Sequence, residues 1–349
     1  MERSRLLQCL AADYMRLREV ATTGLNAQVP SCPGWTVSDL VRHVGQVYLH
    51  KALVMQAGAW PEPWPPATTA TEDPIALLDR AYGALTHEFS RRGDTDHALT
   101  WHEPDQTVKF WIRRMAQESV IHRLDAELAH DTEPAPIPDD LALDGIDEVL
   151  QVMAGYGSHA WHEDLTDQLA GAKGRTVRVQ SAAPSSTAGS PATAAASAGS
   201  SAAGASPAFA GSSAASSPAA GATSAGSSAA GASPASAGSS AAASASAAGS
   251  PSAQGGSPVA ESVPAWLVRI DPEGATITPV TSATAATTGP AATMDLIPDA
   301  VVTGPPAHLL RWLWSRESTP TTDAHSPVQV DGDEEAINEL QALLRALTQ

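Results

Sequence analysis

Glu118 and His122 stand four residues apart in the run Lys109-Phe-Trp-Ile-Arg-Arg-Met-Ala-Gln-Glu-Ser-Val-Ile-His-Arg-Leu-Asp-Ala-Glu-Leu-Ala129. The run contains no Pro or Gly and is rich in good helix formers, which predicts a helix. Residues four apart on a helix share a face, so this carboxylate and imidazole point the same way. His43 lies in a second amphipathic run, between Val41 and Val44. Two imidazoles and a carboxylate make a ligand set that suits a divalent metal with one position left open for water or substrate. The residues alone leave two readings open. One is that metal centre; the other is a carboxylate–imidazole pair satisfied by solvent and neighbours. The apolar residues around the set (Ile112, Met115, Ile121 and Leu124) bear on the choice. A carboxylate near an apolar face is costly unless it is paired or bound to a cation.

A competing group, His159, His162 and Glu163, sits in a polar segment beside Gly157 and further acids, and reads as a solvated surface. His50, His87, His97, His102, His130, His308 and His325 lie in polar surroundings or loops and receive no role. Cys9 and Cys32 form neither a disulfide framework nor a CxxC motif. Cys32, near a helix start, reads as an inert thiol rather than a reactive one.

These residues must be positioned by helices. Four helical runs are expected before residue 139: about Glu2–Thr23, a run after Trp35, about Pro74–Arg91, and the run bearing Glu118. Leu6, Leu10, Leu17 and Val20 are core candidates in the first. Thr36 with Asp39 three residues on reads as a capping box for the second, which carries Leu40, Val41, Val44, Val47 and Tyr48. Proline near the first turn suits the third. Four such helices predict a bundle, a fold that builds metal sites between facing helices.

After residue 139 a helix over about Leu141–Tyr156 leads to strands at Thr176–Gln180, Ala265–Ile270, Ala275–Val280 and Asp299–Thr303. Helices follow at Pro306–Ser315 and about Asp333–Leu347. The expected fold class is therefore α+β overall: a bundle over 1–138, a small α+β domain over 139–180 and 261–349, and an insertion over 181–260. Between Arg178 and Glu261 there is no Asp, Glu, Lys or Arg, only Ala, Ser, Gly, Pro and Thr with few other residues. Such a segment has almost nothing to bury and reads as disordered. If Thr176–Gln180 pairs with Ala265–Ile270, the tract is an overgrown loop within one domain, tolerable because closure entropy grows only logarithmically with length.

The net charge is −18 and the apparent pI about 4.8. Without clustered Lys and Arg, nucleic acid is not an expected partner. No secretion signal or membrane-spanning run is read in the sequence, so the expected location is the cytoplasm.

Val29-Pro-Ser-Cys-Pro-Gly-Trp-Thr-Val-Ser-Asp-Leu-Val-Arg-His43-Val-Gly and Trp111-Ile-Arg-Arg-Met-Ala-Gln-Glu118-Ser-Val-Ile-His122-Arg-Leu-Asp125-Ala resemble the two signatures of the mycothiol-dependent maleylpyruvate isomerase family. The resemblance implies a DinB-like metal-binding four-helix bundle with His43, Glu118 and His122 as ligands of a divalent metal, usually zinc. It implies mycothiol, an actinobacterial small thiol, at the open position, and an electrophilic small molecule as second substrate. In the isomerase the thiolate adds to the cis alkene of maleylpyruvate, allows rotation and leaves; other members transfer the thiol. Ala300–Arg316 with Val330–Asp333 is similar to the family's small sterol-carrier-like domain. By that likeness Arg316, then Arg311, would hold a substrate carboxylate. The charge-free insertion departs from the family pattern. A non-enzymatic metal- or ligand-binding regulatory bundle is the alternative reading.

Overall fold

The structure is a computed structural model that describes residues 1–182, 263–280, 297–317 and 326–348. The disordered insertion expected at 181–260 therefore lies almost wholly outside the described residues. Ser181 ends a strand, and 182 directly follows it.

Four long helices form the N-terminal part: α1 (Arg3–Ala21), α2 (Val37–Ala57), α4 (Pro74–Arg91) and α5 (Val108–Ala129), with a single-turn α3 (Thr68–Thr71) between α2 and α4. The core candidates of α1 are all buried, as are Leu40, Val41, Val44 and Tyr48 of α2. The expected capping box is present. Thr36 accepts from the Asp39 backbone N–H, and the Asp39 carboxylate accepts from the Thr36 backbone N–H. That box sets where α2 begins and hence the face on which His43 emerges, seven residues on. Asp73 caps α4 ahead of Pro74, and Thr107 caps α5.

Helices α2 and α4 meet closely at Gly45. A Cβ there would lie 3.0 Å from Leu77 Cγ and 3.1 Å from the Leu78 backbone nitrogen. The missing side chain is what allows this approach.

The expected helix over Leu141–Tyr156 divides into α6 (Asp139–Glu148) and a π-helical stretch, Val149–Gly157. Two short segments follow, α7 (Ser158–Ala160) and, after a 3₁₀ turn at His162–Leu165, α8 (Thr166–Leu169). The chain then enters a mixed five-stranded sheet: β1 (Arg175–Ser181), β2 (Ala265–Asp271), β3 (Gly274–Val280), β4 (Ala300–Gly304) and β5 (Gln329–Gly332), in the order β3-β2-β1-β4-β5. β1 pairs antiparallel with β2, Gln180 opposite Ala265, and parallel with β4. The charge-free segment thus connects two directly paired strands. α9 (Pro306–Leu313) and α10 (Glu334–Thr348) complete the fold. Strand β5, flanked by polar residues, escaped the sequence reading.

Helical part and sheet share one continuous core, from Leu6 and Tyr48 through Leu141 and Ile146 to Val268, Leu310 and Leu340. Trp266 on β2 donates from Nε1 to Asp147 at 3.0 Å, and Arg113 on α5 bonds Asp144 and Asp147. Polar bonds therefore reinforce the apolar join. No helix among the described residues is long and apolar enough to cross a membrane.

Candidate metal centre

His43 on α2 and Glu118 and His122 on α5 come together as expected from the shared helix face. Each offers one ligand atom, and the three atoms lie within 4.8 Å of one another. Glu118 Oε1 is 3.4 Å from His43 Nε2 and 3.2 Å from His122 Nε2. Two ligands about 2.0–2.1 Å from a tetrahedral ion stand roughly 3.3 Å apart, so the two measured separations suit a small divalent cation such as zinc. The imidazoles meet edge to face, with centroids 5.1 Å apart. His43 is the most exposed of the three, at 37 % of its side chain, against 11 % for Glu118 and 13 % for His122. Solvent reaches the centre on the His43 side.

The surroundings fix each ligand. Asp125, one turn after His122, lies with Oδ2 2.9 Å from His122 Nδ1. With a proton held on Nδ1 by Asp125, Nε2 is the ring atom that faces Glu118 and that offers a lone pair once the ring is neutral, the second-layer arrangement typical of metal-binding histidine. Asp125 is fully buried and stays anionic, because Arg316 donates from Nε to Oδ1 at 2.9 Å and from Nη2 to Oδ2 at 3.0 Å. Ser31 donates to the same carboxylate at 2.5 Å. Burial opposes the charge on Asp125. His122 and Arg316 outweigh it and hold its carboxyl well below the usual carboxylate range. Glu118 is likewise held well below that range: burial acts against it, and the Arg114 guanidinium, bonded to its Oε2 at 2.5 Å, prevails with help from His122. Arg114 also reaches Glu148 on α6 at 2.9 Å.

This explains the first sequence motif. The loop before α2 delivers Ser31 and Cys32 to Asp125, turns at Gly34 in the left-handed region (φ 85°), and sets the Trp35 ring 5.0 Å from that of His43. Cys32 is no nucleophile here. Burial first, then the Asp125 charge, push its thiol up to about 11.

Arg316, expected to hold a substrate carboxylate, is placed beside the centre with its guanidinium turned to Asp125 and to the Trp314 carbonyl. Only 3 % of its side chain is exposed. The turn after α9 aims it there. Ser315 N–H bonds to Trp312 O, and Arg316 N–H to Arg311 O at 2.7 Å, while Ser315 adopts φ 57°. That is a Schellman ending with serine where glycine is usual. Arg311 instead lies beside Glu317, 3.3 Å away.

The competing group does not assemble. His159 Nε2 lies 3.2 Å from the Ala275 carbonyl and His162 Nε2 2.8 Å from that of Pro272, so both brace the β2–β3 hairpin. Sequence reasoning passed over Asp125 and Arg114, which bond the ligand candidates directly. Both carried a signal: Asp125 follows His122 by three positions, and Arg114 precedes Glu118 by four.

Fold and site define a helical-bundle protein in which His43, Glu118 and His122 could together hold a metal ion, joined to a small mixed sheet. Residues 7–127 match the family model described as the mycothiol maleylpyruvate isomerase N-terminal domain. All three ligand candidates fall inside the matched segment; Arg316 falls outside it. No curated protein and no solved structure matches the chain.

Proposed function

We propose that this chain is a metal-dependent, thiol-utilising enzyme of the maleylpyruvate isomerase type, with zinc held by His43, Glu118 and His122 and mycothiol as the thiol. The reaction is thiol addition to an electrophile, either as cis–trans isomerisation or as S-transfer. The observation that carries the reading is the ligand triad with its buried Asp125 support, inside a segment of the matching family.

A metal bound at this triad supplies a Lewis acid that favours the deprotonated form of a coordinated thiol at neutral pH. The protein's own groups do the rest. With a metal bound, His43 and His122 would each supply a ring nitrogen, and Glu118, kept ionised by Arg114, would add one negative charge. Asp125 keeps the His122 proton on Nδ1. The Trp35 ring lies beside His43 and the Trp314 ring beside Arg114, and His43 keeps 37 % of its side chain exposed. Three protein ligands leave a tetrahedral ion a fourth position, which suits a reacting centre rather than a closed structural one.

The test is metal analysis of purified protein, followed by turnover of maleylpyruvate with and without mycothiol. Stoichiometric zinc with thiol-dependent turnover supports the proposal. Absence of bound metal overturns it. Zinc binding without any thiol-dependent reaction would instead favour a non-enzymatic binding bundle.

A further inference from the structure

We propose that Lys51 forms the anion-binding end of the metal site, receiving the carboxylate of a short organic acid whose reacting carbon lies at the His43/Glu118/His122 centre. The proposal rests on the metal-centred reading above and adds to it the residue that selects the substrate.

The placement follows from two helices. On α2, His43, His50 and Lys51 stand at i, i+7 and i+8, positions that share one helical face. On α5, Trp111, Arg114, Glu118 and His122 also share one face at steps of three and four. The metal ligands join the two faces at one end. Lys51 joins them further along, its ammonium 4.7 Å over the Trp111 ring. Eight residues of helix span roughly 12 Å, and a lysine stem that leans back toward the helix N-terminus shortens that separation. A molecule with a reactive centre and a carboxylate separated by a few carbons would span that separation.

The charge balance says which cation is available. Arg114 is engaged by Glu118 and Glu148, and Arg316 by Asp125 and the Trp314 carbonyl. Arg42, on α2 beside His43, donates to the backbone carbonyls of Thr69 and Glu72. Lys51 differs from all three. Its one hydrogen-bond partner among the described residues is His50 Nδ1, at 3.3 Å, and it has no carboxylate at ion-pair distance. Burial keeps His50 neutral, its pKa pushed down to about 3, so its ring cannot neutralise the ammonium. An ammonium carries three donors, and two remain here for a ligand. Trp60 and Trp64 flank the His50 ring at 5.6 and 4.7 Å, giving the acid an apolar wall beside the cation.

A partly buried cation with no carboxylate at ion-pair distance is costly to fold, the more distant Glu118 charge offsetting only part of the cost, and a site that binds an anion recovers more of it on ligation. The Trp111 ring face lowers the cost in the ligand-free state. Methylene groups of equal length would pack against the same ring at no electrostatic cost, so packing alone does not account for the ammonium.

The experiment is calorimetry on the zinc-loaded full chain with maleate, a four-carbon cis-dicarboxylate, and with its neutral diamide. Lys51→Met and Lys51→Arg are compared with the parent, and zinc content is measured for each. The expected result is maleate binding weakened about tenfold or more in Lys51→Met, largely restored in Lys51→Arg, with zinc content unchanged in both. The diamide should bind parent and Lys51→Met alike. Equal maleate affinity in the parent and Lys51→Met, or no maleate binding by the zinc-loaded parent, overturns the Lys51 assignment and leaves the metal reading standing. A parent protein that takes up no zinc overturns the metal reading itself.

Discussion

Asp125 and Arg316 are 191 positions apart in the chain and share two parallel hydrogen bonds in a fully buried pair. Through this pair the segment after α9 reaches the candidate metal ligands, because the Asp125 carboxylate also holds His122 Nδ1. Four groups spend their hydrogen bonds on one carboxylate: Arg316, His122, Ser31 and Cys32.

Asp125→Asn keeps the size of the side chain but removes its charge and allows the amide to donate toward His122. The Nδ1 proton is then no longer enforced, and Arg316 loses its counter-ion. Zinc affinity should fall about 10- to 100-fold, read by competition with a chromophoric chelator. An unchanged affinity would remove Asp125 from the support of the site.

Arg316→Met leaves Asp125 buried with only His122 as a charged partner. Breaking a buried pair from one side costs about 3–5 kcal/mol, so denaturant midpoints should drop well below those of the parent. The double variant Asp125→Asn, Arg316→Met should recover part of the loss, because no charge is then stranded.

Zinc uptake should depend on pH through His122. In the metal-free chain burial lowers this imidazole's pKa, but the Glu118 and Asp125 carboxylates outweigh that and hold it up to about 9. Metal binding needs the neutral ring, so below about pH 9 each bound ion must release this proton. Affinity should therefore rise with pH up to about 9, by about tenfold per unit, and flatten above. Calorimetry near pH 7.5 in two buffers of different ionisation enthalpy should show about one proton released from this residue. The folding contribution of the metal-free site has the opposite trend. The raised pKa stabilises the fold fully below the unfolded value of about 6.5, and that stabilisation is lost as pH rises through about 9.

Ser315 occupies the left-handed region at the end of α9, where a side chain costs about 1 kcal/mol relative to glycine. Ser315→Gly should raise stability by about that amount without changing zinc content, as measured by chemical denaturation.

Gly45→Ala should act in the opposite direction. Its new methyl group would meet the Leu77 side chain and the Leu78 backbone at contact distance or closer, forcing α2 and α4 apart at about 1–3 kcal/mol. Because His43 lies on the same helix, zinc affinity should be read alongside the thermal midpoint.

What the sequence determined by itself was local. The Thr36–Asp39 box, the bounds of α4 and the shared face of Glu118 and His122 all follow from spacings of three and four residues, where helix geometry allows one outcome. His43 entered the set from its place in a second amphipathic run, the family resemblance then singling it out as a ligand, while the pairing of β1 with β2 stood only as a condition that the sheet meets. The tertiary structure decided the charge pairing. Seventeen arginines and three lysines compete for the acids of this chain, and periodicity does not say which cation meets which carboxylate. The family resemblance offered Arg316 for a substrate carboxylate; the tertiary structure places it buried and bonded to Asp125. Lys51 lay unremarked on α2, and only the docking of α5 placed it over Trp111, with no carboxylate of the described residues at ion-pair distance. Desolvation is the physical reason. A charge drawn into the interior must find a partner there, and which partner it finds depends on how distant segments pack.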